Sequence, residues 1–355
     1  MKYLKTIWVR NYVNDIFPIY QRKVSMNTFS HKHSAHCESG VASLLFRHKG
    51  LEISEPLVFG LGSGLAFAYL PIVKLSGMPL IAYRSMPKSI IKTVTKRLGI
   101  KLKTQTFSNQ KKAEETLDRL LDEGKYVGAQ TSVYYLPYFP KDMRFHFNAH
   151  NLIIYGKEGD EYLVSDPVFE YTVRIKKSDL LKARFAKGAL APKGLLYYLD
   201  SEPEEIDYEA IIKTSIKATI KSMNPPVFFA GIKGIHYLAK QIRSIPKKYK
   251  DDMRYPRLYL GHIVRMQEEI GTGGAGFRYM YASFLQEASQ YTNKDLLNES
   301  SKMMTAVGDE WRLFAQATAL MCKNRKELDF ESLANMLDAI AVKEKAVYEN
   351  LKSIV

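Results

Sequence analysis

The chain has 355 residues, of which 46% are hydrophobic and 25% charged, as in a soluble globular protein with a full core. Its 52 Lys and Arg against 37 Asp and Glu leave a net charge of +15, so acidic proteins, membrane surfaces and nucleic acid all begin as candidate partners. Only two cysteines, Cys37 and Cys322, are present, which excludes a disulfide-framed secreted scaffold and suits a reducing compartment.

The first ten residues contain no apolar h-region, so a cytoplasmic protein is expected, with residues 1–24 as an N-terminal extension. Ser39 to His48 reads as a helix, with Val41, Leu44 and Leu45 at helical spacing. The most apolar window, Leu57 to Val73, is interrupted by Gly60, Gly62, Gly64 and Pro71, and falls short of a membrane span of about 20 residues. Lys112 to Asp122 reads as a second helix. Strand-like runs follow at Tyr126–Ala129, Asn151–Tyr155, Glu161–Val164 and Gly194–Leu199. Helices early and strands late predict an α+β domain over residues 25–200. A polar seam at Asp200–Glu205 then gives way to helical stripes such as Ile212, Ile216 and Ile220, or Val307, Trp311 and Phe314. A mainly α-helical second domain is expected over residues 206–355.

The chemistry concentrates at His31-Lys32-His33-Ser34-Ala35-His36-Cys37-Glu38-Ser39-Gly40, which opens the first helix. A cysteine at a helix N-terminus sits in the positive end of the macrodipole, which favours thiolate over thiol. Protonated neighbouring histidines would favour it further. A nucleophilic cysteine also needs a histidine base, itself oriented by a carboxylate or amide. His150 begins one apolar strand and Asp166 follows another. Paired across a turn at Lys157–Asp160, these strands bring both side chains to the same end of a hairpin. The competing use of His31, His33, His36 and Cys37 is zinc ligation, but their spacing fits no closed structural site, and no metal is expected. His146, four residues before His150, either lines the site or sits on its loop. Cys322 reads as a core residue.

Taken together, several segments resemble a known family. They are His36-Cys37-Glu38-Ser39-Gly40, the run Gly60-Leu61-Gly62-Ser63-Gly64-Leu65-Ala66-Phe67-Ala68-Tyr69, Tyr135-Leu136-Pro137-Tyr138, His146 and His150, and Ser165-Asp166-Pro167. In the second half they are Glu269 to Arg278 and Tyr281 to Ala288. The pattern is similar to the papain-like peptidases that trim leader peptides on bacterial exporters, and more so to the butirosin biosynthesis protein H-like family, named for an aminoglycoside acyltransferase. The resemblance implies a papain-like cysteine-protease-type N-terminal domain followed by the family's helical domain. It implies acyl transfer from an acyl carrier protein thioester to a small-molecule amine acceptor, with Cys37 as nucleophile, His150 as base and Asp166 as its orienter. No cofactor is then required beyond the 4'-phosphopantetheine on the carrier protein.

The pattern has departures. Papain-like enzymes usually place a Gln several residues before the cysteine as an oxyanion donor, and this chain has none there. His31 is a substitute candidate and the Cys37 backbone N–H another. The family's Asp ahead of the Leu-Pro-Tyr element is replaced by Gln130-Thr131-Ser132-Val133, so the acceptor can differ. His31, His36 and His146 are the expected oxyanion or site-lining residues. Tyr135, Tyr138, Gly273, Gly274 and Arg278 are the expected substrate-binding residues. The glycine run Gly271–Gly276 either offers N–H groups to a phosphopantetheine phosphate or makes a tight inter-helix corner. The basic runs Lys247–Lys250 and Arg254–Arg257 are either solvated surface or a docking face for an acidic carrier. No nucleic-acid module or membrane segment accompanies them, and a homo-oligomer stays open. Two alternatives remain: a cysteine hydrolase using the same triad, and a non-catalytic binding protein.

Overall fold

The computed structural model describes residues 29–355 except Ser76, Pro203, Asp251 and Asn293, and the expected extension over residues 1–24 lies outside them. The first helix, α1 (Cys37–Arg47), starts two residues before the expected point. There His36 is extended and its imidazole accepts the Ser39 N–H, doing the work of an N-cap. Helix α2 (Glu55–Leu61) is capped by Ser54. The glycine-interrupted apolar window is not one element: it ends α2 and then forms β1 (Leu65–Leu75), which pairs with β2 (Met78–Arg84) as a two-stranded antiparallel sheet. Helix α3 (Ser89–Arg97), strand β3 (Leu102–Gln105) and helix α4 (Gln110–Asp122) lead into the main sheet.

That sheet has six strands, completed by β4 (Val127–Thr131), β5 (His150–Glu158), β6 (Glu161–Ser165), β7 (Val173–Lys176) and β8 (Leu196–Leu199). Its order is β3-β8-β4-β5-β6-β7, and every pairing is antiparallel. The expected hairpin is β5–β6, with Glu158 opposite Glu161, so the turn is tighter than Lys157–Asp160. The strand outruns the expected Asn151–Tyr155 at both ends, starting at His150 and continuing past a bulge between Ile154 and Gly156 to Glu158. Leu152 and Ile154 face a core shared with Leu117 and Leu120 of α4, and with Leu180 of α5 (Lys177–Arg184). Strand alternation turns Asn151 and Ile153 to the opposite face, where α1 packs across β5 and β8. Both faces are therefore covered, which is why the start of β5 is a continuous buried run. The α+β expectation holds.

The remaining elements are helical: α6 (Tyr208–Met223), α7 (Gly231–Arg243), α8 (Ile245–Tyr249), α9 (Arg254–Glu268), α10 (Arg278–Thr292), α11 (Asp295–Cys322) and α12 (Phe330–Leu351). Ile212, Ile216 and Ile220 point inward from α6, and Trp311 and Phe314 from α11, as their spacing predicts. The basic run at Arg254 opens α9. Cys322 is only half-buried, at the end of α11, where its thiol donates to the Arg257 carbonyl at 3.5 Å.

The seam at residues 200–205 divides the chain in order but not in space, because His31–Val355 form one compact unit. Strand β1 packs on α7, β2 on α9, and α2 on α10. The fit is tight at Gly60, where an added Cβ would lie 1.9 Å from the Phe284 ring, so only glycine lets α2 and α10 meet this way. No helix among the described residues is long and apolar enough to cross a membrane.

Candidate active site

Cys37 is the first residue of α1 and is 6% exposed. Its backbone N–H, one of the orphan donors of the first turn, has no partner among the described residues. His150, the first residue of β5, donates from Nε2 to Asp166 Oδ2 at 2.7 Å and is also hydrogen-bonded to Cys37. With Nε2 spent on Asp166, the nitrogen left for the sulfur is Nδ1. Asp166 comes just after β6, and the hairpin register brings it beside His150 across the strands. Its other oxygen, Oδ1, accepts the Val168 N–H at 3.3 Å.

These contacts move both protons. Burial pushes the Cys37 thiol up, but the hydrogen bond and charge of His150, the charge of Arg84 and the Asn151 N–H outweigh it, and the thiol falls below its ordinary 9.0. Burial alone would lower His150. The charge and hydrogen bond of Asp166, with a smaller contribution from Cys37, raise it instead from 6.5 to about 10. The arrangement favours a thiolate–imidazolium pair.

His36 does not contribute the positive charge that a protonated neighbour would bring. Burial, then Arg84 and His150, hold it well below 6.5, so it is neutral and serves as a hydrogen-bond acceptor at the start of α1. Its ring stands edge-on to Phe277, with centroids 5.1 Å apart. His31 is not available as an oxyanion donor. Its Nε2 donates to the Phe169 carbonyl at 3.0 Å, and its Nδ1 lies 2.7 Å from Ser165 Oγ. His146 is exposed and stacks on Tyr134, with ring centroids 4.0 Å apart. Among the described residues, no three His, Cys, Asp or Glu side chains come together as a metal site would need.

The expected substrate-binding residues separate. Tyr135 packs against the sheet core. Tyr138 donates to Asp166 Oδ2 at 2.9 Å, so it positions the carboxylate. Arg278 is completely buried and pairs with Glu344, its Nη2 2.9 Å from Oε1, while Nη1 reaches the Gly276 carbonyl at 2.7 Å. It touches no solvent, and the pairing ties α10 to α12. Gly273 and Gly274 both have positive φ, and an added Cβ on Gly274 would meet the Arg312 guanidinium. The run is thus a tight corner. It does pass close to the site, since a Cβ on Gly273 would lie 3.3 Å from Ala35.

Sequence reasoning missed the carboxylates that hold the nucleophile in place. Glu38, the residue after Cys37, is buried and accepts from Arg84 Nη1 and the Ile90 N–H at 3.0 Å and from the Lys88 N–H at 3.1 Å. It thereby caps α3, whose own N-cap residue, Lys88, makes no side-chain cap bond. Glu55 accepts the Ala35 and His36 N–H groups at 2.9 and 2.7 Å, and the Ser39 hydroxyl at 3.1 Å. Next to it, the Ser54 hydroxyl donates to Glu287 on α10. Glu38 lies inside the His36-Cys37-Glu38-Ser39-Gly40 motif without its partners being legible there, and Glu55 and Glu287 belong to no motif that links them to Cys37. Asn151, read only as the start of a strand, has Nδ2 3.9 Å from Cys37 Sγ.

Residues 36–167 match the family described as butirosin biosynthesis protein H, N-terminal, and residues 178–351 match a domain of unknown function (DUF4872). No curated protein matches the chain. Among solved structures, a C39-like peptidase from Bacillus anthracis shows a slight likeness, with 12% identity and a TM-score of 0.35, over 52% of this chain and 100% of that one. Residues 36–167 thus belong to the butirosin biosynthesis protein H N-terminal family, followed in the same chain by the domain of unknown function.

Proposed function

We propose that the protein is a cysteine-dependent acyltransferase that forms an amide from the thioester of an acyl carrier protein and an amine acceptor. The observation that carries this reading is the buried relay Cys37–His150–Asp166 at the start of α1. The Cys37 thiolate attacks the thioester carbonyl, and the free N–H of Cys37 faces the developing oxyanion. As the carbon–sulfur bond to phosphopantetheine breaks, the protonated His150 gives its Nδ1 proton to the departing thiolate. An amine then attacks the Cys37 thioester, His150 takes the amine's proton, and the amide leaves as the Cys37 thiolate returns. Asp166 and Tyr138 keep the imidazole oriented throughout.

Burial supports transfer over hydrolysis. Cys37 is 6% exposed, and Phe139 stands edge-on to His150 with centroids 5.5 Å apart, which limits the water that reaches an acyl-enzyme. The test is intact-mass analysis with acylated carrier protein. A covalent acyl adduct is expected on the wild type, absent from Cys37→Ala and discharged by added amine. No adduct on the wild type, or discharge by water as fast as by amine, would overturn the reading.

A further inference from the structure

Asn151 follows His150 on β5, and its side chain turns the opposite way, under the first turn of α1. The amide is held at both ends. Nδ2 donates to the Ala149 carbonyl at 3.1 Å, and Oδ1 accepts the Tyr197 hydroxyl at 2.9 Å. A flipped amide would set its oxygen against the Ala149 carbonyl, so this orientation is fixed. One of the two Nδ2 hydrogens is thus spent on Ala149. The other is left for Cys37 Sγ, 3.9 Å away, in a place where Asn151 is buried. A buried amide hydrogen needs an acceptor, and a thiolate is a much better one than a thiol.

We propose that Asn151 is a further catalytic residue, which donates its second Nδ2 hydrogen to the Cys37 thiolate and is held in that orientation by Tyr197. This rests on the reading of Cys37 as the nucleophile. The role fits both halves of the transfer. The donor stabilises the thiolate before it attacks, and again when the amine displaces it: the new carbon–nitrogen bond forms, the carbon–sulfur bond breaks, and the electron pair returns to sulfur. While the thioester exists the sulfur carries no charge, so the donor does not stabilise the intermediate that must be discharged.

The test is the pH dependence of Cys37 alkylation by iodoacetamide, read by peptide mass in the full chain, for the wild type, Asn151→Ala and Tyr197→Phe. The charged and titratable groups around the sulfur are His150 and Asp166 from the β5–β6 hairpin, Arg84 from β2, Glu38 and His36 from α1 and its cap, and Tyr197 from β8. Asn151→Ala leaves all of them in place, and Tyr197→Phe removes a hydroxyl that burial keeps neutral. The alkylation limb should move up by about one pH unit in Asn151→Ala, as a lost hydrogen bond to a charged group implies. It should move up less in Tyr197→Phe, with thermal midpoints showing both variants folded. A limb unmoved in both overturns the proposal. If Asn151→Ala fails to fold, Tyr197→Phe decides alone: an upward shift supports the role and an unmoved limb overturns it. A wild-type Cys37 with no limb below the ordinary thiol range would instead overturn the nucleophile reading, and this proposal with it.

Discussion

Tyr138 and His150 share one oxygen: both donate to Asp166 Oδ2, at 2.9 and 2.7 Å, while Oδ1 is left with the Val168 N–H. The phenol thus fixes the direction in which the carboxylate faces the imidazole, and burial keeps its own proton in place. Tyr138→Phe should slow acyl-adduct formation by about three- to tenfold without abolishing it, as one lost hydrogen bond implies. Single-turnover mass kinetics would read this. An unchanged rate would show that His150 and the Val168 N–H suffice.

The pH profile follows from the signs of two shifts. Cys37 lies below 9.0, so the rate of adduct formation should rise with pH on a limb that ends below pH 9. His150 lies at about 10, so the rate should fall again near that pH as the imidazolium that protonates the leaving thiolate is lost. His150→Gln removes the largest of the influences that hold the thiol down, leaving only Arg84 and the Asn151 N–H against the upward push of burial. Its alkylation limb should therefore sit above that of the wild type. A limb at the same pH in both proteins would contradict the ion pair.

Arg278 and Glu344 are both fully buried, and Glu344 also accepts from Tyr348 at 2.8 Å and Trp311 at 3.2 Å. Arg278→Met strands a carboxylate in the core, so it should lower the unfolding free energy by about 3–5 kcal/mol. The folded fraction should keep its half-saturating carrier-protein concentration. A changed concentration with unchanged stability would restore Arg278 to the substrate site.

Gly60→Val should cost about 1–3 kcal/mol through overpacking against Phe284, measured as a lower denaturant midpoint. A midpoint equal to that of the wild type would mean that α2 and α10 separate without penalty.

Legibility in the sequence tracked the range of the interaction. The β5–β6 hairpin was readable because two apolar runs flank a short polar turn, and that hairpin alone joins His150 to Asp166. The stripes of α6 and α11 were readable because helical spacing is local. Arg278 was not, because a buried arginine and a ligand-binding one look alike until the partner is known, and Glu344 is on another helix. His36 and His31 looked like site chemistry for the same reason; each is occupied by backbone or hydroxyl groups that only the fold supplies. Asn151 was hidden by its place at the start of an apolar strand, where the residues around it advertise packing.

Glu55 grips the two N–H groups just before Cys37, while its neighbour Ser54 is gripped in turn by Glu287 of α10. The segment that aims the nucleophile is therefore moored to a helix far along the chain, in the other of the two matched domains. The halves are not interchangeable modules. A recombination event or a designed chimera that swapped one half for a relative's would have to carry the Ser54–Glu287 contact and the Gly60–Phe284 fit with it, or give up the aim of its cysteine.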